Sequence, residues 1–147
     1  MYNTIVLIHL AAAILWMGGM GFMLLALRPA VLALDGPVRA RLMLTVWRRF
    51  FTVVGISIVV LLLTGVHLYA TAMQVGAATP GKHLMVGIGL LMFLLFGHMV
   101  FAGYRKYARA LAAADTTSAQ RAAASIHAVV LINFGLGWLA IAAIKLL

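Results

Sequence analysis

The sequence has 147 residues, of which 66% are hydrophobic and 9% charged, and it carries a net charge of +9. A soluble domain of this size needs roughly 25% charged residues to cover its surface. The composition therefore excludes a soluble domain and favours a protein surrounded by the lipid bilayer. The absence of cysteine excludes disulfides, thiolate metal sites and cysteine nucleophiles. The basic residues are concentrated in two short segments between apolar runs, which indicates membrane orientation and no binding of nucleic acid.

Four apolar stretches predict an all-α integral membrane protein with a single transmembrane domain, residues 1–147. The predicted spans are residues 4–27, 50–73, 83–104 and 122–146, and each reaches the roughly 20 residues that a helix needs to cross the hydrocarbon. No basic residue precedes the first stretch, and the stretch is too long for the apolar part of a signal peptide. We therefore expect it to be a retained span.

The basic residues predict the orientation of the chain. Nine of the eleven lie in the connections 28–49 and 105–121, whereas Lys82 and Lys145 lie on the other side. The positive-inside rule places both basic connections in the cytoplasm and both termini on the periplasmic side of a bacterial inner membrane. Short connections make neighbouring helices antiparallel, which predicts an up-down-up-down four-helix bundle. The run from Thr117 to Gln120 fits a capping box and predicts an early start of the last helix.

Histidines within the predicted spans are the main functional candidates, because ionisable side chains are unfavourable in hydrocarbon and usually face the bundle interior or a cavity. His9 and His67 each lie about six residues from the outer end of their span, about 9 Å deep at the rise of an α-helix. His98 and His127 lie at matched depths near the inner ends, and His83 lies at the outer mouth of the third span. The sequence thus predicts two histidine pairs, one near each membrane face.

Two imidazoles on facing helices can ligate a haem iron axially, and such cofactors bind in bundle interiors. A haem also needs cations near its propionates, and Arg28, Arg48 and Arg105 lie within reach of the inner pair. We therefore predict that the histidine pairs bind haem b for electron transfer or a haem-linked redox step. The expected partners are the lipid bilayer and a quinone or a redox protein. Alternatively, the histidines hydrogen-bond between helices in a purely structural subunit.

Methionines on the third span support copper as the alternative cofactor. Met85, Met92 and Met99 recur every seven residues and form a stripe next to His98. Thioether and imidazole ligands together suit Cu(I). The candidate metal ligands are His9, His67, His83, His98, Met85 and Met92. Ordinary helix packing is the other interpretation of the stripe.

Small residues on the first and last spans predict helix contacts. His9, Ala13, Trp16, Met20 and Met23 recur at three- and four-residue steps and so share one face of the first helix. Three nearby glycines would let another helix or a flat ring approach closely: Gly18, Gly19 and Gly21. On the last span, Asn133 and Gly137 predict a second contact patch.

Several of these residues resemble motifs of the copper-resistance D (CopD) family. The run from His9 to Gly19, followed by Arg28-Pro29, is similar to the first span of that family. Further similar motifs are Arg48-Arg49-Phe50-Phe51, Thr64-Gly65, His83-Leu84-Met85, His98-Met99-Val100-Phe101 with Tyr104-Arg105, and Asn133 with Gly135 and Gly137. The resemblance covers nearly the whole chain and implies an inner-membrane protein associated with copper uptake or tolerance. The best-known members have more spans, so this chain resembles a short form.

A more distant likeness is to the HemJ-type protoporphyrinogen oxidases, four-helix proteins that bind haem b and whose first span has a His followed by Trp-Gly. This likeness implies that His9 is a haem ligand. The acidic pattern of that family's last span is missing, because this chain has Asn133-Phe134-Gly135 there. We therefore do not expect the oxidase activity. The sequence leaves self-association into a homo-oligomer open.

Overall fold

The computed structural model describes all 147 residues, and its regular elements are all helical. Four helices are long and apolar enough to cross a membrane: α1 (Tyr2–Leu32), α2 (Gly36–Gln74), α3 (Pro80–Ala112) and α4 (Thr116–Leu146). The four predicted helices are thus confirmed, but each is longer than its apolar run. The predicted connections 28–49 and 105–121 are mostly helical, with turns only at 33–35 and 113–115. The helices are longer because an apolar run shows only which part of a helix suits the hydrocarbon. The helix itself continues into polar sequence until a helix-ending residue is reached.

Local signals fix where the helices begin and end. Pro37 and Pro80 lie in the first turns of α2 and α3, where a missing N–H has no helical partner to lose. The predicted early start of α4 is confirmed, but the capping residue is Asp115 and not Thr117. The Asp115 carboxylate accepts the backbone N–H of Ser118 at 2.9 Å, and hydrogen bonding from the side chain and then the backbone of Ser118 lowers the pKa of the carboxyl.

Two of the helices contain a widened, π-helical segment. In α1 it covers Met23–Leu27, just before Pro29. A proline lacks the N–H that would bond to the carbonyl four residues earlier and its ring clashes with that carbonyl, so a wider turn lets the helix continue past it. In α3 the segment covers Met99–Tyr104 and contains no proline. There Gly103 lies against the Ile126 side chain of α4, so the widened turn forms part of a helix contact.

The most extensive packing is between α1 and α2 and between α3 and α4. A Cβ added to Gly19 would lie 2.9 Å from the Phe50 side chain of α2, so the predicted close approach of another helix is confirmed for this glycine. Gly18 has nothing within 4 Å of such an atom. Near the other end of the bundle, Gly81 lies directly against the backbone carbonyl of Ala143. Because glycine has no side chain, Gly19 and Gly81 let α1 pack closely on α2 and α3 pack closely on α4.

Aromatic rings fill much of the bundle interior. Trp16 of α1 meets Phe96 of α3 at a centroid distance of 6.3 Å, and Phe96 meets Phe51 of α2 at 5.9 Å. Phe51 continues to Tyr104 at 5.6 Å. These edge-to-face contacts join three helices in one chain of rings. The interior is therefore closely packed along this line, and no histidine is among the buried residues.

Candidate functional site

His9 is the histidine whose ring is best positioned by its neighbours. Its Nδ1 atom lies 2.8 Å from the Thr64 hydroxyl of α2, and Thr64 Oγ1 donates its own hydrogen to the Val60 carbonyl at 2.6 Å. A hydroxyl has a single hydrogen, so Thr64 must accept at the other contact and His9 Nδ1 must carry the proton. In the neutral ring the lone pair is then on Nε2. The geometry thus fixes the tautomer that can bind a metal through Nε2.

The surroundings of this pair bring helices α1 and α2 close together. A Cβ added to Gly65 would lie 3.3 Å from His9 Cε1, so only a glycine leaves the imidazole ring uncrowded there. His67 is one helical turn beyond Thr64, and its side chain is exposed. His9 lies seven residues after the first residue of α1 and His67 seven before the last residue of α2. The two histidines therefore lie at equal distances from their helix ends, although no hydrogen bond joins the two rings.

His83 has a different partner. Its Nδ1 atom lies 2.5 Å from the Tyr69 hydroxyl of α2, and the two rings meet edge to face. Next to it, Lys82 Nζ donates a hydrogen bond to the Ala77 carbonyl. Both side chains thus tie the start of α3 to the end of α2 and its turn.

His98 and His127 have different surroundings. His98 is exposed and lines a groove between α3 and α4 whose volume is about 540 Å³. His127 does not line this groove and lies near Arg28 of α1. Because α3 and α4 continue past their apolar runs, His98 is fourteen residues from Ala112 and His127 eleven from Thr116. His98 therefore faces the groove residues, whereas His127 lies towards α1.

The three arginines predicted near a haem are all exposed. The guanidinium of Arg105 lies 5.4 Å from the centroid of the Phe101 ring on the same helix, a cation–π distance. Arg48 borders a shallow depression on α2 together with Arg49 and Thr52. These side chains are thus distributed around the basic end of the bundle.

The methionine stripe faces the interior. Met92 and Met99 are buried and Met85 is half-buried. Met92 Cε lies 3.4 Å from the position that a Cβ on Gly137 would occupy, and the Met17 sulfur fills that position from α1. The predicted contact patch on α4 is confirmed at this glycine.

Asn133 lies one helical turn before Gly137 and is 1% exposed. Its Nδ2 atom donates to the Met92 carbonyl at 3.3 Å, whereas its Oδ1 atom has no hydrogen-bond partner. A buried acceptor without a partner is unfavourable by about 1–3 kcal/mol. The patch therefore combines two thioethers with one unpaired amide oxygen.

Of the predicted site residues, the structure thus brings His9 and His83 into contact with α2, and Met92 into contact with α1 and α4. No group of three or more His, Cys, Asp or Glu residues lies close enough to hold a metal ion. The sequence interpretation did not identify Thr64 as a partner of His9 or Met17 as a partner of Met92. Comparison with family models, curated proteins and solved structures found no match.

Proposed function

We propose that this chain is a multi-pass protein of the bacterial inner membrane that binds haem b through His9 and carries electrons within the membrane. The observation that supports this best is the chain of hydrogen bonds from His9 through Thr64 to Val60, with lengths of 2.8 and 2.6 Å. Histidines that bind metals usually donate their second ring N–H to a fixed acceptor, which orients the ring and raises its basicity. Thr64 provides that acceptor.

The proposed topology is up-down-up-down, with both termini in the periplasm. Along α1 and α2, His9 contacts Thr64 and Gly19 contacts Phe50, so contacts move backwards along one helix as they advance along the other. Turns of three and five residues join the helices, which favours neighbours that run in opposite directions. Nine basic residues at the end with the two short turns support placing that end in the cytoplasm.

Within this arrangement His9 Nε2 is the atom that would bind the haem iron, and His67 is the candidate for a second protein ligand. His67 is exposed and one helical turn beyond Thr64, at the same distance from its helix end as His9. Gly65 leaves the His9 ring room to keep its orientation. A bound haem would supply one-electron chemistry at its iron. The resemblance to CopD and HemJ proteins agrees with a cofactor at His9.

An absorbance spectrum of the detergent-purified protein, reduced minus oxidised, tests the proposal. We expect a Soret band that shifts on reduction, that disappears in His9→Ala and that weakens in His67→Ala. His83→Ala is the matched control, because this ring is bonded to Tyr69 and is not assigned to the haem. A wild-type preparation without a Soret band after expression with added haem would refute the haem proposal. An unchanged spectrum in His9→Ala would refute the assignment of the ligand.

The second candidate function is copper binding, and the methionine patch favours it. The side chains of Met17 and Met92 meet over Gly137, and Asn133 one helical turn earlier contacts the Met92 backbone through its Nδ2 atom. Thioethers are soft ligands that select Cu(I). Cu(I) retained by the purified wild type, and lost from the double variant Met17→Leu with Met92→Leu, would support this candidate. Leucine keeps the apolar volume, so equal retention in that variant would exclude the patch as the copper site.

A further inference from the structure

The groove between α3 and α4 has a composition unlike the rest of the bundle surface. Twelve residues line it, and they divide into cations, hydroxyls, one carboxylate, one imidazole and small residues. Its cations come from both helices: Lys106 and Arg109 from α3 and Arg121 from α4. Asp115 lies at the turn between the helices. Three cations against one carboxylate leave an excess of positive charge in the groove.

The carboxylate offsets only part of this positive charge: it attracts Arg121 but forms no ion pair with any of the three cations. Asp115 caps α4 by accepting the backbone N–H of Ser118 at 2.9 Å. Its hydrogen bond holds the carboxylate at the helix start, while the three cations are on exposed positions. The guanidinium and ammonium groups therefore remain available for an anion with several oxygen acceptors.

Small residues form much of the remaining lining. Ala102, Gly103 and Ala122 lie on the facing sides of the helices, and Gly103 packs against Ile126 of α4. Since these residues have little or no side chain, the helices approach closely, and the groove of about 540 Å³ lies outside their contact. The hydroxyl of Ser125 adds a neutral hydrogen-bonding group to its wall.

The groove also crosses the boundary between apolar and basic sequence. His98 lies within the apolar run of α3, and Arg109 lies eleven residues further along the same helix, about 16 Å at the rise of an α-helix. One end of the groove thus lies at the depth of hydrocarbon and the other at the depth of lipid headgroups. Basic pockets between transmembrane helices on the cytoplasmic side bind anionic lipid headgroups.

From these observations we infer that the groove binds one anionic phospholipid of the inner leaflet. Lys106, Arg109 and Arg121 contact its phosphate, and an acyl chain follows the small residues towards His98. The amphipathic shape of the groove favours a lipid over a free phosphate ion, because a free ion would use only the charged end. This site depends on the membrane orientation proposed above but not on haem at His9.

Thermal unfolding in a neutral detergent tests the site, with phosphatidylglycerol, phosphatidylcholine and inorganic phosphate added separately. We expect phosphatidylglycerol to raise the unfolding temperature, and phosphatidylcholine and inorganic phosphate to leave it nearly unchanged. Each Arg or Lys near an anionic lipid surface changes affinity about fivefold, so Arg109→Gln with Arg121→Gln should weaken phosphatidylglycerol binding about 25-fold. The shift is measured for each variant against its own value in detergent alone.

The matched control is Arg41→Gln with Arg49→Gln. It removes the same two charges from exposed positions on α2, near the same end of the bundle but outside the groove. This control should keep the phosphatidylglycerol shift. If both double variants lose the shift equally, overall charge explains the binding and the groove site is refuted. An equal shift with inorganic phosphate would refute the lipid as ligand, and no shift with phosphatidylglycerol would refute the site.

Discussion

Replacing Thr64 by valine isolates the bond that orients His9. Valine keeps the branched shape but removes the hydroxyl, so the His9 Nδ1–H loses its acceptor at 2.8 Å. Hydrogen bonds between membrane helices average about 0.6 kcal/mol and reach about 1.7 kcal/mol. Leaving the ring N–H unpaired adds to this loss. For a chain of this length we expect the unfolding temperature to fall by roughly 2–6 °C.

Thr64→Val should change the haem affinity more strongly than the unfolding temperature. Loss of such a supporting partner typically weakens metal binding about 10–100-fold, because the imidazole loses both orientation and basicity. A less basic ligand favours the reduced iron, so we expect a higher midpoint potential in Thr64→Val. Haem titration of the purified protein measures the affinity, and a redox titration followed by absorbance measures the potential.

Two further variants separate this effect from a general one. Thr52→Val removes a hydroxyl on the same helix that bonds only to the Arg48 carbonyl at 2.9 Å, so it should leave the haem unchanged. Thr64→Ser keeps the hydroxyl and should restore most of the wild-type affinity and potential. If Thr64→Val and Thr52→Val have the same affinity and potential, Thr64 does not orient a ligand and the reasoning from the tautomer fails.

Three other predictions concern the fold. Gly81→Ala should lower the unfolding temperature by several degrees, because a Cβ there meets the backbone of α4 and overpacking destabilises by about 1–3 kcal/mol. Gly87→Ala, where a Cβ would meet open space, should raise the unfolding temperature slightly. Tyr107→Phe removes a hydrogen bond of 3.2 Å to a carbonyl of α2 and should destabilise by about 1 kcal/mol in the same melting assay. The pKa of Asp115 is lowered by its hydrogen bond with Ser118, so its contribution is present above its usual pKa of 3.8 and lost as the pH falls through the lower folded value. Melting the wild type and Asp115→Asn from pH 6 down to pH 2 checks this, and the two curves should approach each other only at the acid end.

Much of the fold was predictable because hydrophobicity is additive along a short segment. Four apolar runs gave four helices, and the approximate positions of all four were correct. The ends were less predictable, since α2 begins at Gly36 although its apolar run starts near residue 50. Arginines in 39–49 are compatible with helix, and neither charge nor polarity ends one. Helix α2 therefore extends back to the turn at 33–35, with Asp35 as its N-cap and Pro37 in its first turn.

The histidines show the limit of reasoning from depth alone. Sequence position determines how far along a helix a side chain lies, and the matched positions of His9 and His67 are preserved. Which neighbour each ring meets depends on how each helix is rotated about its axis, because successive residues point in different directions around a helix. His98 and His127 have similar depths by sequence, yet one lines the groove and the other lies near Arg28.

The sequence by itself therefore determined that four apolar helices with internal histidines make up this protein and that one end is basic. Only the tertiary structure decided that Thr64, 55 residues away, accepts the His9 proton, and that Asn133 Oδ1 is left without a partner. It also placed Lys106 and Arg121 in one groove. The physical reason is that insertion into lipid depends on the hydrophobicity of each segment alone. A hydrogen bond between helices also requires that both are correctly rotated about their axes and aligned along their lengths. That alignment is set by close packing at residues such as Gly19 and Gly81.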